Sequence, residues 1–456
     1  MKECPDKKEM PERVAENYLS DLIDLNLIQV AEKKSDGRVK TCCLPSALRE
    51  HNFCQSTSTN NRIADYFDNY SESYDDVHGN TNSPGFNVRY KNLISYLSFD
   101  TREGNIPGEY IGNFLQRGIA SACFHRLLVL DLERVFRPQL PNNIEKLVDL
   151  RYLGLRWTYL ETIPSSVGRL RSLQILDVKH TYVRTLPSSI WKLRKLRHLY
   201  LNQSHRSKFV YQQSGSSLNN LQTLWGLFLD DDSAVKNGLN RLLGLRKLAL
   251  AFELNIPEQK ALAEWVAKLK NLEYLRLRSV DQMGDPQDLY LEPLLGLENL
   301  CRLYLFGSLE KLSIMPEFPQ SLSDLTLSAS RLQSDPMPNL EKLPKLRLLC
   351  FYSDSYMGKH MVCRSGGFPQ LLVLKCWKLG ELEEWDVQEQ AMKNLRELEL
   401  RSCKNLKVPS GLGYLKTLRE LKLTNMPDKF TTAIEQNEGP VWDDIAYYPT
   451  IIKDNW

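Results

Sequence analysis

The sequence lacks the segments that direct a chain into or across a membrane. Its first ten residues, MKECPDKKEM, are charged and are not followed by the apolar core of a signal peptide. No window approaches the roughly 18 uninterrupted apolar residues that a membrane span requires. We therefore expect no membrane span and a cytoplasmic location, with the nucleus as the alternative.

Motifs for catalysis, metal binding and nucleotide binding are also missing. The seven histidines form no H-E-x-x-H motif, no G-x-S-x-G elbow occurs, and the ten cysteines include no C-x-x-C pair. The single Gly-Lys pair, Gly358-Lys359, is followed by histidine and does not form a phosphate-binding loop. The sequence predicts no enzyme, no metal and no cofactor on this chain. Its cysteines are expected to be small buried apolar residues.

What the sequence does contain is a leucine motif, L-x-x-L-x-L, that recurs along most of the chain. The first three steps between copies are 23 residues each, and Pro141, Pro164 and Pro187 keep the same spacing. Later steps of 22 to 28 residues lie within the range of leucine-rich repeats. A fourteenth, degenerate copy is predicted at Leu97 and Phe99. The thirteen regular copies have these central leucines: Leu130, Leu153, Leu176, Leu199, Leu224, Leu248, Leu275, Leu303, Leu325, Leu349, Leu374, Leu398 and Leu421.

Each copy has the alternation of a short strand with one buried side. Leu153 and Leu155 are predicted to face inward, whereas Tyr152, Gly154 and Arg156 face outward. One unit cannot bury its leucines alone, but stacked units cover one another. A short helical or 3₁₀ segment is expected after each proline. The predicted fold class is α/β: a leucine-rich-repeat solenoid with a curved, parallel sheet on its concave side.

The first 55 residues have a different pattern. Residues 12–26 place apolar side chains on one helical face, and LIQVAEKKSDGRVKTCCL then reads as two strands around a turn at Ser35-Asp36-Gly37. A second short helix is predicted from Pro45. The apolar face of the first helix consists of Val14, Tyr18, Leu22 and Leu25.

The stretch AENYLSDLIDLNLIQVAEKKSDGRVKTC resembles the end of the winged-helix domain in plant coiled-coil NLRs, the nucleotide-binding leucine-rich-repeat immune receptors. The repeats over 150–201, and LQTLWGLFLDDDSAVKNGL after them, are similar to the repeats of the same family. In that family a His-Asp pair after the hairpin helps to hold the switch closed around ADP. Pro45 and Ser46 stand at those positions here, so the resemblance assigns no nucleotide-sensing role to them.

The resemblance implies that this chain is the C-terminal portion of such a receptor. ADP or ATP would then bind only to domains upstream of it. Whether the sequence is a complete gene product or a truncated one is left open. The predicted organisation is a partial winged-helix segment at 1–55, a polar linker at 56–90, the solenoid at 91–440 and a C-terminal tail at 441–456.

The resemblance also implies a function in plant defence. The chain would be a non-enzymatic recognition module that binds a pathogen effector or a host protein, or that restrains the receptor through its NB-ARC module in cis or in trans. One alternative is a free-standing cytosolic repeat scaffold or adaptor. Another is the substrate-binding subunit of a ubiquitin ligase, although the first 90 residues contain no F-box of about 45 residues.

Charge and aromatic content indicate where a partner would bind. Residues 146–208 contain thirteen Lys or Arg against three acids, although the net charge of the chain is only +3. This basic segment would suit an acidic face of a neighbouring domain. No nucleic-acid recognition fold is apparent, so no nucleic-acid partner is expected. Outward aromatic positions include Trp157, Trp225 and Tyr274, and aromatic and arginine side chains often dominate protein interfaces. The candidate partner-binding residues are Arg156, Lys179, Tyr200, Arg276, Arg278, Tyr304, Phe306, Tyr352 and Trp377.

Overall fold

A computed structural model describes most of the chain in two units. Contacts within the chain divide it into Met1–Ser58 and Thr59–Trp456. The described residues are 11–25, 28–33, 39–43, 61–67, 78, 85–100, 102–104, 106–202, 204–210, 218–230, 238–291, 294–310, 317–435 and 450–454.

The first unit contains one helix and one hairpin. Helix α1 (Pro11–Asp24) precedes strands β1 (Gln29–Lys33) and β2 (Val39–Cys43), which pair antiparallel. The helix and both strands confirm the pattern that the sequence predicts here. On the predicted apolar face of α1, Tyr18 is 56% exposed. The predicted turn at 35–37 and the predicted helix from Pro45 lie outside the described residues.

The second unit is built on one parallel sheet that follows chain order. Every neighbouring pair in it is parallel. Its sixteen described strands are β3 (Arg62–Phe67), β4 (Ser95–Asp100), β5 (Val129–Asp131), β6 (Tyr152–Gly154), β7 (Ile175–Asp177), β9 (His198–Tyr200), β11 (Thr223–Leu229), β12 (Lys247–Phe252), β13 (Tyr274–Ser279), β14 (Arg302–Phe306), β15 (Asp324–Ser328), β16 (Leu348–Tyr352), β18 (Val373–Trp377), β20 (Glu397–Arg401), β21 (Glu420–Thr424) and β22 (Thr450–Asp454).

Shorter elements connect these strands. Two parallel strand pairs lie outside the large sheet: β8 (Thr185–Leu186) with β10 (Lys208–Phe209), and β17 (His360–Cys363) with β19 (Glu384–Val387). The described helices of this unit are α2 (Phe86–Tyr90), α3 (Ile106–Ala120), α4 (Ile256–Val266), α5 (Met337–Leu340) and α6 (Asp428–Glu435). Across the described parts of the chain, no helix combines the length and apolar character needed to cross a membrane.

The core is a continuous stack of leucines. The central leucines of the thirteen copies pair in register from strand to strand, and none is more than 2% exposed. A 3₁₀ turn at Ser165–Arg169 follows Pro164, and another at Ser188–Lys192 follows Pro187. The solenoid predicted from the repeat is therefore present, with its leucines inside. Each repeat can bury them only because its neighbours cover them.

The degenerate fourteenth copy exists, but its predicted register is wrong by one residue. Strand β4 places Tyr96, rather than Leu97, opposite Leu130. Tyr96 is fully buried and Leu97 is only half-buried. Because alternate side chains of a strand point to opposite faces, a shift of one residue exchanges the two faces. The leucine pattern predicted that Leu97 would point into the core. In the structure the ring of Tyr96 fills the core at this end.

The predicted linker and tail need correction, because each contains a strand of the sheet. Strand β3 lies inside the predicted linker at 56–90 and pairs with β4, with Ile63 buried. Helix α2, in the same segment, buries Phe86 and Tyr90. Strand β22 lies inside the predicted tail at 441–456 and pairs with β21. Neither strand contains a leucine, so the motif that identifies the other repeats could not find them.

Candidate protein-binding surface

The central part of the outer face carries two arginines on aromatic rings. The outer face is defined here as the strand side chains that point away from the leucine core. Arg276 lies opposite Tyr304, and Arg278 lies opposite Phe306. The guanidinium carbons are 4.4 and 4.8 Å from the respective ring centroids. These four residues, called the central group, combine positive charge with half-buried aromatic surface, as cation–π pairs do at interfaces.

Ring contacts, rather than carboxylates, hold the central arginines. Neither Arg276 nor Arg278 forms an ion pair within the described residues, and the Nε atom of each is buried without a hydrogen-bond partner there. The nearby acid Asp324 is paired with Arg302 at 2.9 Å. Burial, together with the charge of Arg276, lowers the pKa of Arg278. The central group therefore presents two positive charges that nothing described neutralises.

A second, C-terminal group lies around Trp377. The rings of Tyr352 and Trp377, on adjacent strands β16 and β18, have centroids 4.5 Å apart. The cations of Arg401 and Lys375 lie 5.4 and 5.9 Å from the Trp377 centroid. Lys375 is also paired with Glu399 at 2.6 Å. Only strand β15 separates this group from the central group, so the two are about 10 Å apart across the sheet.

In the third, N-terminal group, an acidic side chain neutralises one of the two positive charges. Arg156 pairs with the buried Asp177 at 2.5 Å. The Nζ atom of Lys179 lies 4.4 Å from the ring of Tyr200 and 5.1 Å from that of Trp225. Burial lowers the pKa of Lys179, and the attraction of Asp177 opposes this shift. A partner protein at this group would contact the Lys179 ammonium, which lies against two aromatic rings, and Arg156, whose charge is neutralised by Asp177.

A loop of the protein covers the outer face between the N-terminal and central groups. The Arg206 guanidinium lies 4.5 Å from the ring centroid of Phe228, pairs with Glu253 at 3.0 Å and donates a hydrogen bond to the Asp281 carbonyl. We call these contacts the Arg206 bridge. Phe228 is buried beneath it, in a small cluster with Ala251 and Val280. The sequence did not predict this bridge, and its only signal was the longer step of 25 residues between Leu199 and Leu224.

The nine predicted partner-binding residues thus fall into three groups. Seven are strand side chains of the outer face, whereas Arg156 and Lys179 each lie two residues after the end of a strand, β6 and β7 respectively. Trp225, which was predicted as an outward aromatic residue, lies on the same surface, and the structure adds Lys375, Arg401 and Arg206. Trp157 was predicted as an outward strand residue, but it lies in the turn after β6 with a left-handed φ of 61°. It stacks there on His180, with centroids 3.8 Å apart. The repeat alignment missed this because the strand of that repeat ends at Gly154.

The potential metal ligands and the cysteines of the described residues do not converge on one site. Across the described residues, no cluster of three or more His, Cys, Asp or Glu side chains is arranged to hold a metal ion. Cys350, Cys376 and Cys403 are buried among the repeats, whereas Cys301 is half-buried. Burial raises the pKa of Cys403 to about 11. Such thiols are protonated and pack as small apolar groups.

Comparisons with known proteins match this chain to a repeat family and to plant proteins. Residues 113–438 match the family described as leucine-rich repeat region. The probable disease resistance protein RF45 of Arabidopsis thaliana is 29% identical over 409 residues, covering 86% of this chain and 38% of that protein. The disease susceptibility protein LOV1 of the same plant is 34% identical over 430 residues, covering 90% of this chain and 45% of that protein. Among solved structures, a leucine-rich-repeat protein of Leptospira interrogans aligns with a TM-score of 0.46 and 19% identity, covering 81% of this chain and 92% of that one.

The chain spans less than half the length of the two plant relatives. The family match covers most of the sheet and includes all three groups of the outer face. The protein therefore belongs to the leucine-rich-repeat family and shares its repeat region with plant disease resistance proteins.

Proposed function

We propose that this chain is the recognition region of a plant immune receptor, and that a pathogen effector or a host protein binds its outer face. The observation that carries this proposal is the central group. Arg276 and Arg278 are supported by rings but have no ion-pair partner within the described residues. Leaving two such cations without a counter-charge is unfavourable for the isolated chain, and a partner carboxylate would relieve it. Together with Trp377, they provide the residue types that act as hot spots.

Binding, rather than catalysis, suits the arrangement of these groups. The central and C-terminal groups contain cations and rings, but they include no paired nucleophile and base of the kind that covalent catalysis needs. Their side chains are half-buried on rigid strands, so little conformational entropy is lost when a partner orders them. Non-enzymatic recognition in the cytoplasm is the function that this surface supports best.

The length of the relatives supports a further part of the proposal. The match covers 38% of RF45 and 45% of LOV1, so more than half of each of those proteins lies outside the matched region. We propose that an NB-ARC module, carrying ADP or ATP, contacts the basic repeats at 146–208 in cis or in trans and is restrained by them. In this proposal the helix α1 and the hairpin β1–β2 are the remaining part of a winged-helix domain.

The test is binding of defined partners to paired variants. The chain would be screened by two-hybrid assay against cloned pathogen effectors and host proteins, and each interaction would be measured with purified protein. The double variant Arg276→Ala/Arg278→Ala is expected to lower the affinity for a true partner at least tenfold. Arg241→Ala, which removes an exposed arginine from a 3₁₀ turn, is the matched control and is expected to change nothing. Partners that bind both variants equally would contradict the proposed surface.

The same assay separates the alternatives. Selective binding to components of a ubiquitin ligase would favour the substrate-binding subunit. Binding only to host proteins that have no role in defence would favour a repeat scaffold. Binding of an effector, or of a host protein that an effector modifies, would support the receptor.

A further inference from the structure

A row of aromatic rings, two exposed (Tyr159 and Tyr182) and two half-buried (Phe136 and His205), follows four consecutive strands of the N-terminal repeats. Phe136, Tyr159, Tyr182 and His205 recur every 23 residues. Their successive ring centroids are 5.3, 5.6 and 4.5 Å apart. Tyr159 is 44% exposed and Tyr182 is 39% exposed. These four residues, called the aromatic ladder, lie in the turns after the strands and are not part of the outer face described above.

A second pair of rings accompanies the ladder. Trp157 and His180 are each two residues before a ladder tyrosine, and their rings are stacked with an interplanar angle of 9°. Trp157 is 44% exposed. Both residues have left-handed φ angles, 61° and 57°, which bulky side chains seldom adopt. The chain therefore places large rings at a costly backbone position without burying them.

Later repeats show that the turn does not require rings. Five later repeats have a left-handed residue at the position equivalent to Trp157: Ala329, Ser353, Lys378, Ser402 and Asn425. The positions equivalent to the ladder are occupied there by Arg331, Ser355, Gly380, Lys404 and Pro427. None of these ten residues is aromatic. The same strand and turn thus form without rings, and the ladder adds exposed apolar surface that folding does not explain.

The surroundings of the ladder are basic. The turn segments 133–137, 156–161, 179–184 and 204–208 contain seven Lys or Arg and two Glu, a surplus of five positive charges (seven minus two). Arg137 is paired with Glu161 at 2.8 Å. Arg134 and Arg184 are exposed and form no ion pair within the described residues. A partner of opposite charge would meet both arginines without displacing an existing acid.

We propose that the aromatic ladder is a docking surface for an acidic segment of a partner protein. Apolar or proline side chains of that segment would cover the rings, and its carboxylates would meet Arg134 and Arg184. A protein fits better than a nucleic acid because each ring already contacts its neighbours, which leaves no room for a base to insert between them. This surface is separate from the central and C-terminal groups and does not depend on them, although it overlaps the basic repeats at 146–208 and shares Arg156, Lys179 and Arg206 with the surface described above.

The first experiment asks whether the rings serve folding. Tyr159→Ser/Tyr182→Ser would be made in the full chain and its thermal unfolding followed by circular dichroism. We expect the melting temperature to change by less than about 2 °C, because exposed side chains contribute little to stability. Tyr414→Ser is the matched control, since Tyr414 is 46% exposed in a later repeat. A much larger fall for the ladder variant than for the control would make the ladder a structural element and overturn the proposal.

The second experiment asks what the ladder binds. Fluorescein-labelled peptides with four Glu-Pro-Leu or four Gln-Pro-Leu repeats, and a labelled oligo-dT of twelve nucleotides, would be titrated with the full chain while anisotropy is measured. We expect the acidic peptide to bind at least tenfold more tightly than the glutamine peptide and than oligo-dT. Binding should fall at least tenfold in the double tyrosine variant and in Arg134→Gln/Arg184→Gln, and should be unchanged in Tyr414→Ser.

The outcomes separate this proposal from the proposed function. If Arg276→Ala/Arg278→Ala abolishes peptide binding while the ladder variants retain it, the outer face is the acidic-ligand site and the ladder proposal is overturned. Preferential binding of oligo-dT overturns it in favour of nucleic acid. Failure of the acidic peptide to bind at millimolar concentration also overturns it, and leaves the effector or host-protein assay unaffected.

Discussion

The indole of Trp157 and the imidazole of His180 stack in nearly parallel planes, although they are 23 residues apart in the chain. The contact crosses from one repeat to the next through turns rather than through the sheet. Burial, helped by the positive charges of Arg156 and Lys179, lowers the pKa of His180. The stack is therefore a neutral pair of rings near neutral pH.

The first prediction concerns protonation of this histidine. In the unfolded chain His180 takes up a proton below about pH 6.5, whereas in the folded chain it resists until a lower pH. The unfolded state then binds more protons, so the contribution of His180 to stability is present above about pH 6.5 and is lost as the pH falls towards the folded pKa. NMR titration should give a midpoint below 6.5. Replacing Arg156 and Lys179 by Met should raise it, and a midpoint above 6.5 in the parent would contradict the assignment.

The second prediction compares the loss of stability on replacing a core residue with that on replacing an outer-face residue. Leu176 is fully buried and touches both neighbouring repeats, so Leu176→Ala should lower the free energy of unfolding by about 3 kcal/mol. Arg278→Ala should lower it by less than about 1 kcal/mol, because it removes an uncompensated cation from a half-exposed site. Chemical denaturation monitored by circular dichroism measures both. The opposite ranking would reverse the two faces of the strand.

The third prediction uses a close approach between consecutive 3₁₀ turns. A Cβ atom on Gly168 would lie 2.3 Å from the backbone carbon of Ser189, in the next repeat. Gly168→Ala should therefore separate the turns and destabilise the protein by about 1 to 3 kcal/mol. Gly380→Ala is the control, because no atom lies within 4 Å of its added Cβ. Equal melting temperatures for the two variants would show that the turns can move apart freely.

The fourth prediction concerns the Arg206 bridge. Arg206→Ala removes the ion pair with Glu253 and the cation over Phe228. The Phe228 amide donates a hydrogen bond to the Ser207 carbonyl at 2.9 Å. Loosening the loop should therefore expose the Phe228 amide to solvent. We expect hydrogen exchange at Phe228 to accelerate about tenfold, which corresponds to ~1.4 kcal/mol of local opening. Arg171→Ala, an exposed arginine, should leave the rate unchanged, and the same rate in both variants would contradict the bridge.

The fifth prediction concerns thiol reactivity. Burial raises the pKa of Cys363 to about 12 and that of Cys403 to about 11, whereas Cys42 is exposed. With Cys4 and Cys54 replaced by serine, the native protein at pH 8 should react rapidly with Ellman's reagent at Cys42. Cys363 and Cys403 should react only after unfolding, because thiolate formation and access are both blocked. Rapid labelling of Cys363 in the native state would contradict its burial.

The leucine repeat allowed most of the fold to be predicted, because stacking imposes one period on every unit. The same periodicity correctly placed Arg276, Arg278, Tyr304 and Phe306 outward, since alternation along a strand follows from backbone geometry. It could not find β3, which joins the sheet without a leucine motif. Nor could it find contacts that depend on loops, such as Arg206 with Asp281, which are 75 residues apart. Trp157 was misplaced because the exact end of a short strand is a matter of turn geometry.

The Arg206 bridge also has a mechanical consequence. In a stack of repeats each unit contacts only its neighbours, so small movements between successive repeats add up along the solenoid. Arg206 restricts bending over several repeats, because it links the turn after β9 to the residues that follow β12 and β13. The stretch from β9 to β13 should be the stiffest of the second unit, and flexing on either side of it would leave the distance from Tyr200 to Arg276 nearly constant.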